Sequence, residues 1–220
     1  MDALEVMRTT GSCRRFRADP VPDDVLARVL DAARFGPQGG NRQPVRFIVV
    51  RDPATKRRLA EWYLADVEPI IAGYRSGAYR VGETEPGEEL PPLLRDVQHL
   101  AAHLADVPVL VVVCAVFAAL YRSDAELDRP GIVGGASIYP SVQNLLLAAR
   151  TEGLGACLTT LLCAEEPKVK QLLGIPDDVI TAATIPVGYP ERPLPTRLSR
   201  RPLAEIVYAD RYGAPLFGDQ

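Results

Sequence analysis

The sequence predicts one domain of mixed α and β structure. Three observations lead there: several segments carry apolar residues at 3-4 spacing, three short runs are dominated by β-branched residues, and neither an internal repeat nor a flexible linker divides the 220 residues. Such a length buries a sizeable core. A content of 47% hydrophobic and 24% charged residues suits a soluble globular chain and excludes disorder, collagen and coiled coil.

Met1 to Arg8 reads as an amphipathic turn of helix. Asp19-Pro20-Val21-Pro22-Asp23-Asp24 closes an extended segment and opens a helix to about Phe35. Proline and the two carboxylates suit its positive first turn; Val25, Leu26, Val29, Leu30 and Ala33 form one buried stripe, and Gly36-Pro37 ends it. A loop from Pro37 to Pro44 follows, then the strand Val45 to Val50. Asp52-Pro53 opens a second helix to about Ala65. The stretch from Asp66 to Pro92 is rich in Gly, Glu and Pro with scattered tyrosines, and is expected to be a mobile insertion or lid.

Leu93 to Leu104 reads as helix and Val109 to Val116 as a buried strand. A polar turn from Tyr121 to Pro130 and the glycine-rich Gly131 to Gly135 precede a long helix from Ser137 to Gly153. Gly153 to Thr160 returns as a short strand, Pro167 to Leu173 is a short helix stopped by Gly174, and Val179 to Val187 is another strand. Beyond Gly188 the chain is rich in Pro and Arg, with a short helix or strand at Leu203 to Tyr208. The segment 203–220 has no core of its own and ends in apolar Leu216 and Phe217, as expected of a tail that wraps a partner.

A formal net charge of -3 gives no broad cationic field, so no nucleic-acid partner is expected. The apolar run Val107 to Leu120 is too short for a membrane span, and no apolar signal region opens the chain. Cys13, Cys114, Cys157 and Cys163 lack C-x-x-C spacing, which points to reduced thiols and a cytoplasmic protein. His99 and His103 stand at i, i+4 but without H-E-x-x-H or a third ligand, so no metal is expected. No G-x-S-x-G accompanies them, which argues against a hydrolase.

Three polar segments remain: Arg8 to Arg17, Gln38 to Gln43, and Arg197 to Arg201. Guanidiniums, hydroxyls and glycine amides together suit a phosphate and a polar ring edge. Each segment alone also reads as a solvated basic loop.

Together with Arg14-Arg15-Phe16, Pro20-Val21-Pro22 and Ala32-Ala33-Arg34-Phe35-Gly36-Pro37, the loop Gly39-Gly40-Asn41-Arg42-Gln43-Pro44 and the strand Phe47-Ile48-Val49-Val50 carry a resemblance. It continues through Gln143-Asn144-Leu145-Leu146-Leu147, Gly153-Leu154-Gly155, Ile185-Pro186-Val187-Gly188-Tyr189-Pro190 and Arg200-Arg201-Pro202-Leu203. The chain resembles the FMN-dependent nitroreductase superfamily over most of its length outside the insertion. The resemblance implies an α+β fold with a central, mainly antiparallel sheet flanked by helices, and an intertwined homodimer with FMN at the subunit interface.

Position by position, the resemblance implies that Ser12 lies at the phosphate and Arg14, with Arg15 beside it, near the flavin pyrimidine. Pro37, Gln38, Gly39, Asn41 and Gln43 would come from the second subunit. Thr159, Thr160 and Leu161 would lie by the ring, and Arg200 and Arg201 would close on the phosphate. Two positions depart from the pattern: Thr10 replaces an arginine and Gln38 a serine, with Arg8, one turn earlier, the candidate substitute for the missing guanidinium.

The implied reaction passes hydride from NADH or NADPH to flavin N5 and on to a small electron-poor aromatic acceptor, a nitroaromatic or quinone, in ping-pong order. Gly153-x-Gly155 lacks the third glycine of a dinucleotide fingerprint and follows a helix, so the nicotinamide would be a visiting substrate. The superfamily also includes flavin-fragmenting dimethylbenzimidazole synthases and reductive iodotyrosine deiodinases; a non-catalytic flavin-binding protein is the remaining alternative. Trp62, Tyr63, Tyr74 and Tyr79 are candidates to stack on an aromatic substrate, although helix-face packing explains Trp62 at least as well.

Overall fold

In the computed structural model, residues 2–82 and 84–217 are described; Glu83 of the expected insertion and residues 218–220 of the expected tail lie outside them. Four strands form one sheet in the order β1 (Val45–Val50), β2 (Val109–Val116), β4 (Val179–Gly188) and β3 (Gly155–Ala156), and every neighbouring pair is antiparallel. The central antiparallel sheet is thus present.

Because side chains alternate along a strand, a strand covered on both faces must be apolar at every position. In β2, Val109, Val111 and Val113 face one core and Leu110, Val112 and Cys114 the other. Helices α2 (Asp23–Ala33) and α5 (Tyr139–Thr151) cover the first core; α3 (Pro53–Arg75) and α4 (Pro92–His103) cover the second. Leu145 of α5 and Leu59 of α3 are 0% exposed, and each contributes about 1.5–3 kcal/mol by leaving water. On the surface, the Arg28 fork grips both carboxylate oxygens of Glu152 at 3.1 and 2.7 Å and joins α2 to the end of α5.

The sequence reading ended the second helix near Ala65, and the structure carries it ten residues further, to Arg75. Val67, Ile71 and Tyr74 continue the 3-4 stripe begun by Leu59 and Tyr63, and all are buried. Pro69 sits on the exposed side of the helix, where its ring meets solvent. Tyr74 is therefore core: it is 0% exposed and its hydroxyl donates to the Glu85 carbonyl at 2.5 Å. Two further elements are shorter than expected. A 3-10 turn, Val133–Ser137, precedes α5, and the strand after Gly153 is continuous only at Gly155 and Ala156, with one isolated bridge further on between Thr159 and Thr184.

The shorter helices are α1 (Ala3–Thr9), capped by the Asp2 side chain, α6 (Glu166–Leu173), closed by left-handed Gly174, and α7 (Leu203–Ile206). Leu203, Ile206, Tyr212 and Leu216 after the arginine-rich run are all more than half exposed. Among the described residues no helix is long and apolar enough to cross a membrane.

Gly36 lies against the start of α5, where an added Cβ would collide with the Ser141 backbone nitrogen. Gly36→Ala is expected to destabilise the fold by about 1–3 kcal/mol, measured as a lower denaturation midpoint at unchanged m-value. Burial also pushes the Cys13 and Cys114 thiols up to about 11 from the usual 9.0. Folded thiols thus hold their protons more tightly than unfolded ones, so this contribution is complete below the unfolded value and lost as pH climbs to the folded one. Unfolding free energy should hold steady near neutrality and decline between about pH 9 and about pH 11, with a shallower decline in Cys114→Ala.

Candidate functional site

The segment after α1 runs extended beside the end of the sheet. Cys13 donates its amide to Ala156 at 2.9 Å, Arg17 donates to Tyr189 at 2.9 Å, and Glu191 donates back to Arg15 at 3.0 Å. Cys13 packs directly on Gly155, where a Cβ would stand 2.5 Å from its sulfur. That close approach requires glycine, and it leaves Ser12 exposed and Arg14 half-buried on either side.

A second segment, Cys157 to Leu161, extends the line of β3. Thr159 and Thr184 exchange backbone hydrogen bonds of 3.1 and 2.8 Å. Its side chains therefore face opposite ways. Thr159 and Leu161 line a cavity of about 240 Å³ together with Arg14 and Tyr63, closed over by Tyr79 and Val81, whereas Thr160 lines a different cavity on the other side. Burial pushes the Tyr63 phenol up, opposed by the Thr159 side chain and the Arg14 charge. The Thr160 amide has no partner among the described residues, while its carbonyl accepts from Cys163 at 2.9 Å.

Arg15 and Arg14 part company. Arg15 is tied to Asp96 of α4 at 2.9 Å; Arg14 has no ion pair among the described residues and faces the cavity. Arg8, Arg197 and Arg200 line a common cavity of about 460 Å³ with Met7 and Leu198, and Ser12 lines neither this cavity nor the one that Arg14 faces. Arg8 thus reaches the guanidinium cluster from the helical turn before Thr10. Arg201 points away: it is 79% exposed and lies 3.6 Å from Glu205.

The loop at Pro37, Gln38, Gly39, Asn41 and Gln43 stands elsewhere, at the opposite end of α5. Gly39 donates its amide to Ser137 at 3.0 Å, and Arg42 stacks 5.7 Å from the Tyr121 ring. Asn41 and Gln43 are left-handed at φ 50° and 49°, a conformation that residues with side chains rarely adopt. Gln38 keeps a buried Oε1 without a partner among the described residues. The loop is thus tied to the start of α5 through Ser137, whereas the Arg14 segment is tied to β3, beyond the end of that helix.

His99 and His103 stack at 4.5 Å, and His103 lies 3.2 Å from Asp106; among the described residues no three metal-ligand side chains gather. Ser137 escaped the sequence reading. It sits one residue past a glycine run with no motif around it.

The sequence profile of the Nitroreductase family matches residues 7–189. An NADH dehydrogenase of Thermus thermophilus is 31% identical over 214 residues, covering 94% of this chain and 95% of that protein. An iodotyrosine deiodinase of Drosophila melanogaster is 28% identical over 189 residues, covering 85% of this chain and 62% of that protein. A crystal structure of oxidized iodotyrosine deiodinase bound to FMN and 3-iodo-L-tyrosine shares the fold at a TM-score of 0.68 and 22% identity, covering 96% of this chain and 98% of that one. With this profile across most of the chain and this fold beneath it, the chain belongs to the nitroreductase family of oxidoreductases.

Proposed function

We propose that the protein is an FMN-dependent oxidoreductase that passes hydride from NADH or NADPH to a small electron-poor aromatic acceptor, a nitroaromatic or a quinone. The observation that carries this reading is the grouping of arginines at two cavities bordered by the Arg8–Arg14 segment. Arg8, Arg197 and Arg200 share one cavity, and Arg14 opens on a second, apolar one. Three arginines bordering one cavity offer it several charged N–H donors, which suits a phosphate, and an apolar cavity reached by the same segment suits a ring.

FMN fits this donor set. Arg8, Arg197, Arg200 and the Ser12 hydroxyl would hold the phosphate, and Arg14 would hold the pyrimidine edge and stabilise negative charge there. The free Thr160 amide would donate to the ring edge, with Leu161 and Thr159 shaping the face. Bound FMN supplies hydride exchange at N5. The FMN bound by the iodotyrosine deiodinase of the same fold supports the cofactor, and the name of the Thermus relative supports a nicotinamide donor.

The loop at Pro37, Gln38, Gly39, Asn41 and Gln43 is held at the other end of α5 from the Arg14 segment, and a second copy would supply it to complete each site in a homodimer. The exposed apolar residues of 203–217 support such a wrap. The part of the expected lid that lies beyond α3, residues 76–91, would act as the lid, with Tyr79 and Val81 lining the Arg14 cavity. A second reading, reductive dehalogenation of a halogenated phenol, is favoured by the iodotyrosine deiodinase relative; turnover of 3-iodotyrosine against a nitroaromatic separates the two.

The purified protein is expected to be yellow, to bleach when titrated anaerobically with NADH or NADPH, and to run as a dimer by light scattering. A colourless protein that cannot be loaded with FMN would overturn the cofactor, and failure of both nicotinamides to bleach it would leave a binding protein without turnover. Arg14→Ala should weaken FMN at least about tenfold or lower its reduction potential, read by fluorescence titration and dye equilibration. Unchanged affinity together with unchanged potential would remove Arg14 from the site.

A further inference from the structure

Gly73 lies inside α3, at a position where alanine would favour the helix. Its missing side chain is put to use: a Cβ there would stand 2.8 Å from Cε1 and 3.1 Å from Cδ1 of Tyr79. After α3 the chain doubles back through Gly77, left-handed at φ 78°, and the Ala78 amide donates to the Gly73 carbonyl at 2.9 Å. That return brings the Tyr79 ring onto the helix, where its hydroxyl donates to the Ile70 carbonyl. The ring is held at two points.

Tyr79 and Ile70 both line the cavity of about 240 Å³ that Arg14 faces. Leu93 and Leu158 of the same lining are 44% and 38% exposed, so a solute can reach it, while Tyr63, Leu94 and Cys157, each 3% exposed, form its floor. With Arg14, Thr159 and Leu161 given to the flavin, the walls left to an acceptor are Ile70, Tyr79, Val81, Leu93 and Val97.

None of these five side chains is charged, and the one hydroxyl among them is already engaged with Ile70. A carboxylate or an ammonium entering here would lose water and gain no partner from these walls, whereas an uncharged ring loses little. Tyr79 is the bulkiest of the five, and its seat on Gly73 fixes how far it reaches into the space. A site discriminates by what it excludes as much as by what it contacts.

We propose that Tyr79, seated on Gly73, is the specificity-determining residue of the acceptor site and confines it to uncharged single-ring acceptors, a benzoquinone rather than a two-ring quinone or an aromatic amino acid. This rests on FMN occupying the Arg14 side of the cavity.

The test is titration of the FMN-loaded, oxidised protein without any nicotinamide, so that nothing turns over. The ligands are tetramethyl-1,4-benzoquinone, 2,3-dimethyl-1,4-naphthoquinone and 3-iodotyrosine, read by flavin absorbance and by calorimetry; neither quinone has an open quinone-ring position for a thiol to add to. The single-ring quinone is expected to bind at least about tenfold more tightly than either of the others, the scale on which one group too many is felt in an apolar pocket. In Tyr79→Ala the two quinones should become nearly equal while 3-iodotyrosine stays weak. Gly73→Ala keeps the helix and takes away only the seat of the ring; the preference between the quinones should fall severalfold, and this variant decides the matter if Tyr79→Ala does not fold. Equal quinone affinities in the native protein, no saturable quinone binding to the yellow protein, a preference undiminished in both variants, or 3-iodotyrosine bound as tightly as the single-ring quinone each overturns the proposal and leaves the cofactor in place. A protein that takes up no FMN overturns the flavin reading and the proposal with it.

Discussion

Everything in this structure hangs on β2 being covered on both faces. From Val109 to Ala115 every residue is buried, so the strand cannot sit at an edge or face water on one side. Its two sets of alternating side chains seed two separate cores, one under α2 and α5 and one under α3 and α4. Pairing with β1 and β4 satisfies its backbone, and the apolar run itself forces the three-layer arrangement. The shift of register between Val113 and Cys114 is the single irregularity in that central ladder.

The functional geometry is inherited from that ladder through β4. Thr184 of β4 holds Thr159 and Pro186 holds Cys157, so the 157–161 segment continues the sheet plane, with Tyr63 of α3 beside Thr159. A strand-like segment with space on both sides becomes a partition, and its alternation sends Thr159 and Thr160 into different cavities. The same edge fixes the Ser12–Arg14 segment, since Cys13 binds Ala156 and seats on Gly155. Local pairing therefore sets which of two adjacent arginines is free: Arg15 turns outward to Asp96 and Arg14 turns inward.

Much of the architecture was legible because it rests on local pattern. Val45–Val50 and Val109–Val116 are dominated by β-branched residues, and their limits in the structure are those the sequence suggests. The end of α3 was not legible: Gly, Glu and Pro around Pro69 outweigh three apolar residues in a composition-based reading, yet Val67, Ile71 and Tyr74 have a core waiting for them. Tertiary burial overrides local propensity there. Arg8, Arg14 and Arg200 were legible as candidates through their surroundings. Ser137 was not, since a serine after glycines gains meaning only from what packs beside it.

By itself the sequence determined the strand set, the helix stripes, the three polar segments and the family they resemble, because these follow from periodicity and from residue types at fixed spacing. Tertiary structure alone decided which arginines face a shared cavity, which pair with a carboxylate, and that the Gln38 loop stands at the other end of α5 from Arg14. Those facts depend on distances between residues far apart in the chain. Such distances are set by which faces the two cores draw together, and no local pattern encodes them.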